Sequence, residues 1–143
     1  MSLRLLLLLN FAAAAYLTGL IWTVQIVHYP SFEQVPKAAW AAFHAAHTRR
    51  MSYVVLLPMV VELGLAVWLA WAGRALLPSG SSWWSLALVG LIWAATFFIS
   101  VPFHNRLAEG YDYIAIDGLI RTNWIRTLAW TARAVLLGWL LAG

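Results

Sequence analysis

Four long apolar stretches run along this chain, separated by three more polar connections. A membrane-crossing helix needs about 20 predominantly apolar residues, and residues 3–28, 51–72, 83–103 and 119–141 each supply that length. The first stretch starts like a secretory signal, with Arg4, a leucine run and the alanines 12–15. Its apolar run continues past those alanines to Val27, so a span is the better reading. Tyr29-Pro30 should end that helix, because proline lacks a donor and restricts the residue before it. Pro36 suits the first turn of the next helix. From there to Ala72 the pattern never breaks, which is too long for one crossing. Residues 37–50 are therefore expected to form an amphipathic extension above the membrane, continuous with the span at 51–72 and with a kink at Pro58. GRALLPSGSS, residues 73–82, reads as a loop. Pro102 and His104 should close the third span, and residues 105–118 form a polar connection that could turn helical after Asp112.

Short connections between spans imply antiparallel neighbours. The expected fold is all-α: one domain, residues 1–143, built as an integral membrane four-helix bundle. Its second helix, and on the same pattern its fourth, extends beyond the membrane. In this topology the first span ends, the second begins, the third ends and the fourth begins on one side. That side collects all four histidines, His28, His44, His47 and His104. VHYPSF at the end of the first span and VPFHNR at the end of the third give a faint two-fold echo.

Composition sharpens the class. Only 10% of the 143 residues are charged and 64% are hydrophobic, whereas a soluble domain carries about a quarter charged residues. Cysteine is absent, which excludes disulfides, thiolate metal sites, iron–sulfur clusters and a cysteine nucleophile. The net charge of +4 reflects orientation rather than nucleic acid. Six Lys/Arg (Lys37, Arg49, Arg50, Arg106, Arg121, Arg126) fall on the histidine side and two, Arg4 and Arg74, on the other. The positive-inside rule then puts the histidines in the cytoplasm, at a bacterial inner (plasma) membrane. Phosphate loops, nucleotide fingerprints and serine-nucleophile motifs are missing. The expected partners are the lipid bilayer and a hydrophobic small molecule, with no nucleic acid; a homo-oligomer stays open.

Two constellations carry candidate chemistry. Glu62 lies thirteen residues beyond Arg49, and Arg133 fourteen beyond Leu119. Both therefore sit about 20 Å down their helices, and a buried ion pair between the second and fourth spans is expected. The second constellation is the histidine set. His44 and His47, three apart, share a helical face, and imidazoles converging from several helix ends can bind a transition metal. Nitrogen and oxygen donors without thiolate fit Fe, Cu or Zn; haem with two axial histidines is the less suitable alternative, since it needs a deeper slot. Glu33, Glu109 and Asp112 could add oxygen ligands or orient a ring. Gln25, one turn before His28, together with Arg106, Arg121 and Trp124, could support the site from behind.

GLIWTVQIVHYPSF, SVPFHNRLAEG and LIRTNWIRTLAWTAR, at the first, third and fourth spans, resemble the anthrone oxygenase-like family of small four-helix membrane proteins. The matching positions are His28 and Pro30, then Pro102, Asn105 and Leu107, then Asn123 or Trp124 with Arg126. The His44/His47 pair lies outside that pattern. The resemblance implies oxidation of a flat phenolic or anthrone-like molecule by dioxygen. His28, Asn105, Asn123 and Arg126 are then the candidate catalytic residues, with tryptophans such as Trp40, Trp124 and Trp130 stacking on the substrate. A histidine would act as general base or hold the metal, and Arg126 or Asn123 would stabilise a developing phenolate. An oxidoreductase or oxygenase is thus the favoured reading. The alternatives are a metal- or haem-binding membrane module without catalysis, and a small transport or assembly subunit that uses Glu62 and Arg133.

Overall fold

The four apolar stretches become four long helices in the computed structural model, which describes residues 1–78 and 80–143. They are α1 (Leu3–Gln34), α2 (Lys37–Gly73), α3 (Ser81–Glu109) and α4 (Tyr113–Ala142), with no strand among the described residues. Even α3, the shortest at 29 residues, exceeds the hydrocarbon thickness of about 30 Å at a rise of about 1.5 Å per residue. Each helix has an 18-residue window of mean hydropathy between 1.2 and 2.1, and at most 39% of any such window is buried inside the protein. The remaining apolar surface faces outward and requires lipid. The chain is an integral membrane protein.

The helices form a ring: α1 packs on α2 and α4, and α3 packs on the same two. Residues 35–36 join α1 to α2 and residues 110–112 join α3 to α4, both at the histidine end. Between lipid-exposed helices apolar burial contributes little, and close packing with internal hydrogen bonds takes its place.

The expected helix stops at Tyr29-Pro30 and at Pro102 and His104 are overturned, and one device explains both. Val24–His28 form a π-helical turn in α1, where the Tyr29 N–H donates to the Val24 carbonyl. Thr96–Ser100 do the same in α3, where the Val101 N–H donates to Thr96. Pro30 and Pro102 each follow by one residue. A π turn interrupts the regular ladder, so the donor that proline lacks falls where the ladder is already broken. α1 therefore continues to Gln34 and α3 to Glu109. The sequence echo of VHYPSF and VPFHNR traces this shared geometry.

The other boundaries shift less. α2 opens with a 3₁₀ turn directly after Pro36 and then runs unbroken from Trp40 to Gly73, through Pro58. α4 starts at Tyr113 rather than at residue 119, because Asp112 caps it by accepting from the Ala115 N–H at 3.1 Å. That amide and the neighbouring Arg106 hold the Asp112 carboxyl below its ordinary 3.8. Most of the expected connection at 105–118 is thus helical. In the expected loop at 73–82, Ser79 lies outside the described residues, and Gly80 precedes α3 with φ of +79°, a conformation that favours glycine.

Two close fits fix the helix positions. Pro58 cannot donate to the Val54 carbonyl one turn earlier, and the Tyr16 hydroxyl of α1 donates to it instead at 3.1 Å. Gly118 of α4 meets the Phe103 ring of α3 so closely that an added Cβ would lie 2.5 Å from Cζ.

Candidate site at the histidine end of the bundle

Four imidazoles from three helices meet inside this end. His44 and His47 share one face of α2, and both are buried. The π turn of α1 presents the consecutive residues His28 and Tyr29 to different partners. His28 Nε2 lies 2.7 Å from His47 Nδ1, and the Tyr29 hydroxyl lies 3.2 Å from His104 Nε2. His104 Nδ1 is in turn 3.3 Å from His44 Nε2. The His47 and His104 rings stack at 5.8 Å, which joins the two pairs. Packing holds these rings in place: Trp40 stacks on His44 and donates its indole N–H to the Leu107 carbonyl, and Phe32 sets its edge on His47.

Beside the cluster lies a cavity of about 250 Å³. Leu17, Ile21 and Val24 of α1 form its back, and the aromatic rings of Trp93 and Trp130 form walls. Ser52 and Leu56 of α2 and Phe97 and Val101 of α3 also line it, and all four are exposed on the bundle surface. The opening therefore lies between α2 and α3 and faces lipid. The polar end is built by Tyr29, His47, His104, Ser100 and Arg126. A second, smaller hollow of about 170 Å³ touches His28 and the far side of His47, next to Arg50. His47 is a wall of both.

Behind the cavity runs a connected polar core. Asn123 donates to Gln25, whose own amide donates to the Ile120 carbonyl. Arg126 donates to Ser100 and to Asn123, both at 3.3 Å, and lies over the Trp130 ring. The Trp130 indole N–H donates to Glu62 at 2.9 Å. Glu62 pairs with Arg133 at 2.7 Å, diagonally across the ring of helices, and both are fully buried. Arg133 also donates to Asn10 of α1. With Trp130, Arg133 and Asn10 all engaged, the pair ties three helices together.

Of the residues singled out in the sequence, His47, His104, Arg126 and Trp130 line the cavity. His28 and His44 stand one hydrogen bond behind them. Asn123 and Gln25 are buried and support Arg126 rather than face the cavity. Asn105 does not join the site. It is exposed, because α3 continues past Pro102 and carries it to the outer face. Arg106 bonds Asp112, and Arg121 bonds Asp117 one turn away, all near the surface. Glu33 and Glu109 are exposed. Trp124 packs its edge on Trp22 outside the cavity, and Trp40 serves the imidazoles rather than a ligand. Sequence reasoning missed Tyr29, Ser100 and Asn10. A lone asparagine within the apolar run of α1 was a readable signal for the last.

Among the described residues, four imidazoles converge with no carboxylate bonded to any of them, a donor type that late first-row metals take. The 3.3 Å nitrogen separation of His44 and His104 is about the ligand edge of a tetrahedral site with bonds of about 2.0–2.1 Å. Among the described residues, no three His, Asp or Glu side chains already surround one point. The facing nitrogens instead share hydrogen bonds in pairs. No family model, curated protein or solved structure matches this chain.

Proposed function

We propose that this protein is a membrane-embedded oxidoreductase or oxygenase acting on a flat, lipid-dissolved phenol, anthrone or quinol. The observation that carries the reading is a lipid-facing cavity with aromatic walls that ends in two imidazoles, a phenol and a guanidinium. The resemblance to the anthrone oxygenase-like family supports the same substrate class. On that reading a ring CH₂ becomes a carbonyl: one atom of dioxygen enters the product and the other leaves as water with the two hydrogens.

The chain's own residues bind, orient and move protons. The apolar back and the tryptophans hold the rings, and the substrate hydroxyl meets His47 and His104 at the polar end. A proton taken by His47 passes to His28 across their 2.7 Å contact and reaches the second hollow beside Arg50. A proton that reaches His104 Nε2 through the Tyr29 hydroxyl passes from Nδ1 to His44. Proton transfer by positioned imidazole is worth about 10²–10⁴-fold. In the metal-bound version His28, His44, His47 and His104 would hold a transition metal in place of these proton-passing contacts, and that metal would supply the one-electron chemistry that dioxygen requires. The arginine asymmetry argues for a cytoplasmic histidine side at a bacterial inner membrane.

A metal-free version, with the imidazoles as bases only, draws support from the Tyr29–His104–His44 hydrogen-bonded row. One experiment separates the versions: elemental analysis and oxygen uptake with phenols and quinols, for wild type and the His44→Ala/His47→Ala variant. Bound metal that the variant loses, together with substrate-dependent uptake, supports the metal version. Uptake without metal supports the base version. Metal without uptake by any phenol or quinol leaves a binding module and ends the oxidoreductase reading.

A further inference from the structure

Among the described residues, three side chains that are ordinarily charged in water are buried: Glu62, Arg126 and Arg133. Glu62 and Arg133 neutralise each other. Arg126 has no carboxylate. Its hydrogen bonds go to Ser100 and Asn123, both neutral, the Tyr29 phenol lies within hydrogen-bonding reach of it, and its Nε is buried with no partner among the described residues. The residue is only 6% exposed, yet it lines the lipid-facing cavity. Of the remaining acids, Asp112 and Asp117 are held by Arg106 and Arg121, and Glu33 and Glu109 are exposed. A buried cation without a counter-ion is strongly unfavourable.

We infer that the cavity takes its ligand as an anion: a flat, lipophilic phenol or enol whose ionised oxygen pairs with Arg126. This deepens the reading of the cavity as a substrate site and rests on it. The Trp130 ring, under the guanidinium, and the Trp93 ring both line the cavity and suit a flat aromatic body. Ser100 and Asn123 both hold Nη1 of the guanidinium, so the group is oriented before the oxygen arrives. Charge-assisted hydrogen bonds of this type are roughly twice as strong as neutral ones. Tyr29, whose hydroxyl already serves His104, is the nearest internal rival for the role of anion.

The test is an anaerobic binding measurement on the whole protein in lipid nanodiscs. The probe is 4-nitro-1-naphthol, whose ionised form absorbs in the visible, at a pH where the free probe is mainly neutral. Its methyl ether is the control of equal shape. The expected result is the phenolate band, saturating near one probe per chain and absent with empty nanodiscs. The ether should bind at least about tenfold more weakly, the scale of a lost charge-assisted hydrogen bond. Arg126→Gln should abolish the band and Arg126→Lys should keep part of it. The wild-type comparison of phenol and ether stands even where a variant fails to fold.

A probe bound in its neutral form, or an ether that binds as tightly as the phenol, overturns the inference. So does displacement of the probe by palmitate at concentrations where phenols do not compete, which would assign a fatty acid. So does a tyrosinate band in the unliganded protein that Tyr29→Phe removes, which would make Tyr29 the counter-ion. Oxygen plays no part in this measurement. A chain that binds phenolate and never consumes oxygen refutes the oxidoreductase reading and leaves the inference intact.

Discussion

His28 Nε2 and His47 Nδ1 lie 2.7 Å apart, and His47 separates the lipid-facing cavity from the hollow beside Arg50. No other imidazole touches both spaces. His47→Ala should therefore remove more function than His44→Ala, whose ring reaches the cavity only through His104. Bound metal in His47→Ala should fall by about 10- to 100-fold, since even groups that merely support a ligand cost that much. Metal retention should also fall in acid as protons compete for the rings, and because burial lowers the His44 and His47 pKa values the loss should come well below the ordinary 6.5. Elemental analysis across a pH series checks both. Equal metal in wild type and His47→Ala would break this account of the ring.

Glu62 and Arg133 sit in a fully buried pair. Glu62→Gln alone leaves a guanidinium in the bundle centre and should cost about 3–5 kcal/mol. Glu62→Leu with Arg133→Met should cost markedly less, although Asn10 and the Trp130 indole lose a partner. Unfolding from lipid in a denaturing detergent ranks the two. A double variant less stable than the single would refute the pairing argument.

Tyr16 replaces the donor that Pro58 lacks. Tyr16→Phe should destabilise by about 1 kcal/mol. In a Pro58→Ala background the helix supplies its own N–H, and the same change should cost close to nothing. A double-mutant cycle isolates that coupling. Equal costs in both backgrounds would show that the hydroxyl serves something else.

Gly118 leaves room for the Phe103 ring one residue before His104. Gly118→Ala should push that ring aside, at a cost of about 1–3 kcal/mol, and disturb the His104 turn. Phe103→Leu in the same chain should restore part of the loss. Thermal unfolding together with probe binding reads both effects.

Asp112 caps α4 outside the membrane with its carboxyl held below the ordinary 3.8. Folding lowers this pKa, so its stabilising effect is complete above pH 3.8 and fades as the pH drops through the lowered value. Amide exchange at Ala115 should accelerate in that acid range. Asp112→Asn, which caps without titrating, should remove the acid dependence.

The spans were legible because twenty apolar residues have few other fates. Depth was legible too: counting residues down two helices placed Glu62 opposite Arg133. The helix ends were not. Pro30 and Pro102 read as stops, and nothing local in the sequence says that a π turn will carry the helix past each. That single misreading put Asn105 in a connection near the site, whereas it lies on an exposed helical face. Asn123 was placed in the right region, but only the three-dimensional packing separates a residue that faces the cavity from one that braces Arg126 behind it. The unpaired state of Arg126 was illegible for the same reason. Pairing is settled by which acids come near, and the chain's five acids are scattered from Glu33 to Asp117.

The opening between α2 and α3 also fixes the unit in which a ligand must be counted. Whatever reaches Arg126 through Leu56 and Phe97 arrives from the hydrocarbon, so occupancy follows moles of ligand per mole of lipid. Adding buffer to a suspension of vesicles leaves a strongly partitioning compound at the same mole fraction and the site equally full. Adding empty vesicles thins it out. Affinities expressed per litre of water will rank compounds by oil–water partition before they rank them by fit.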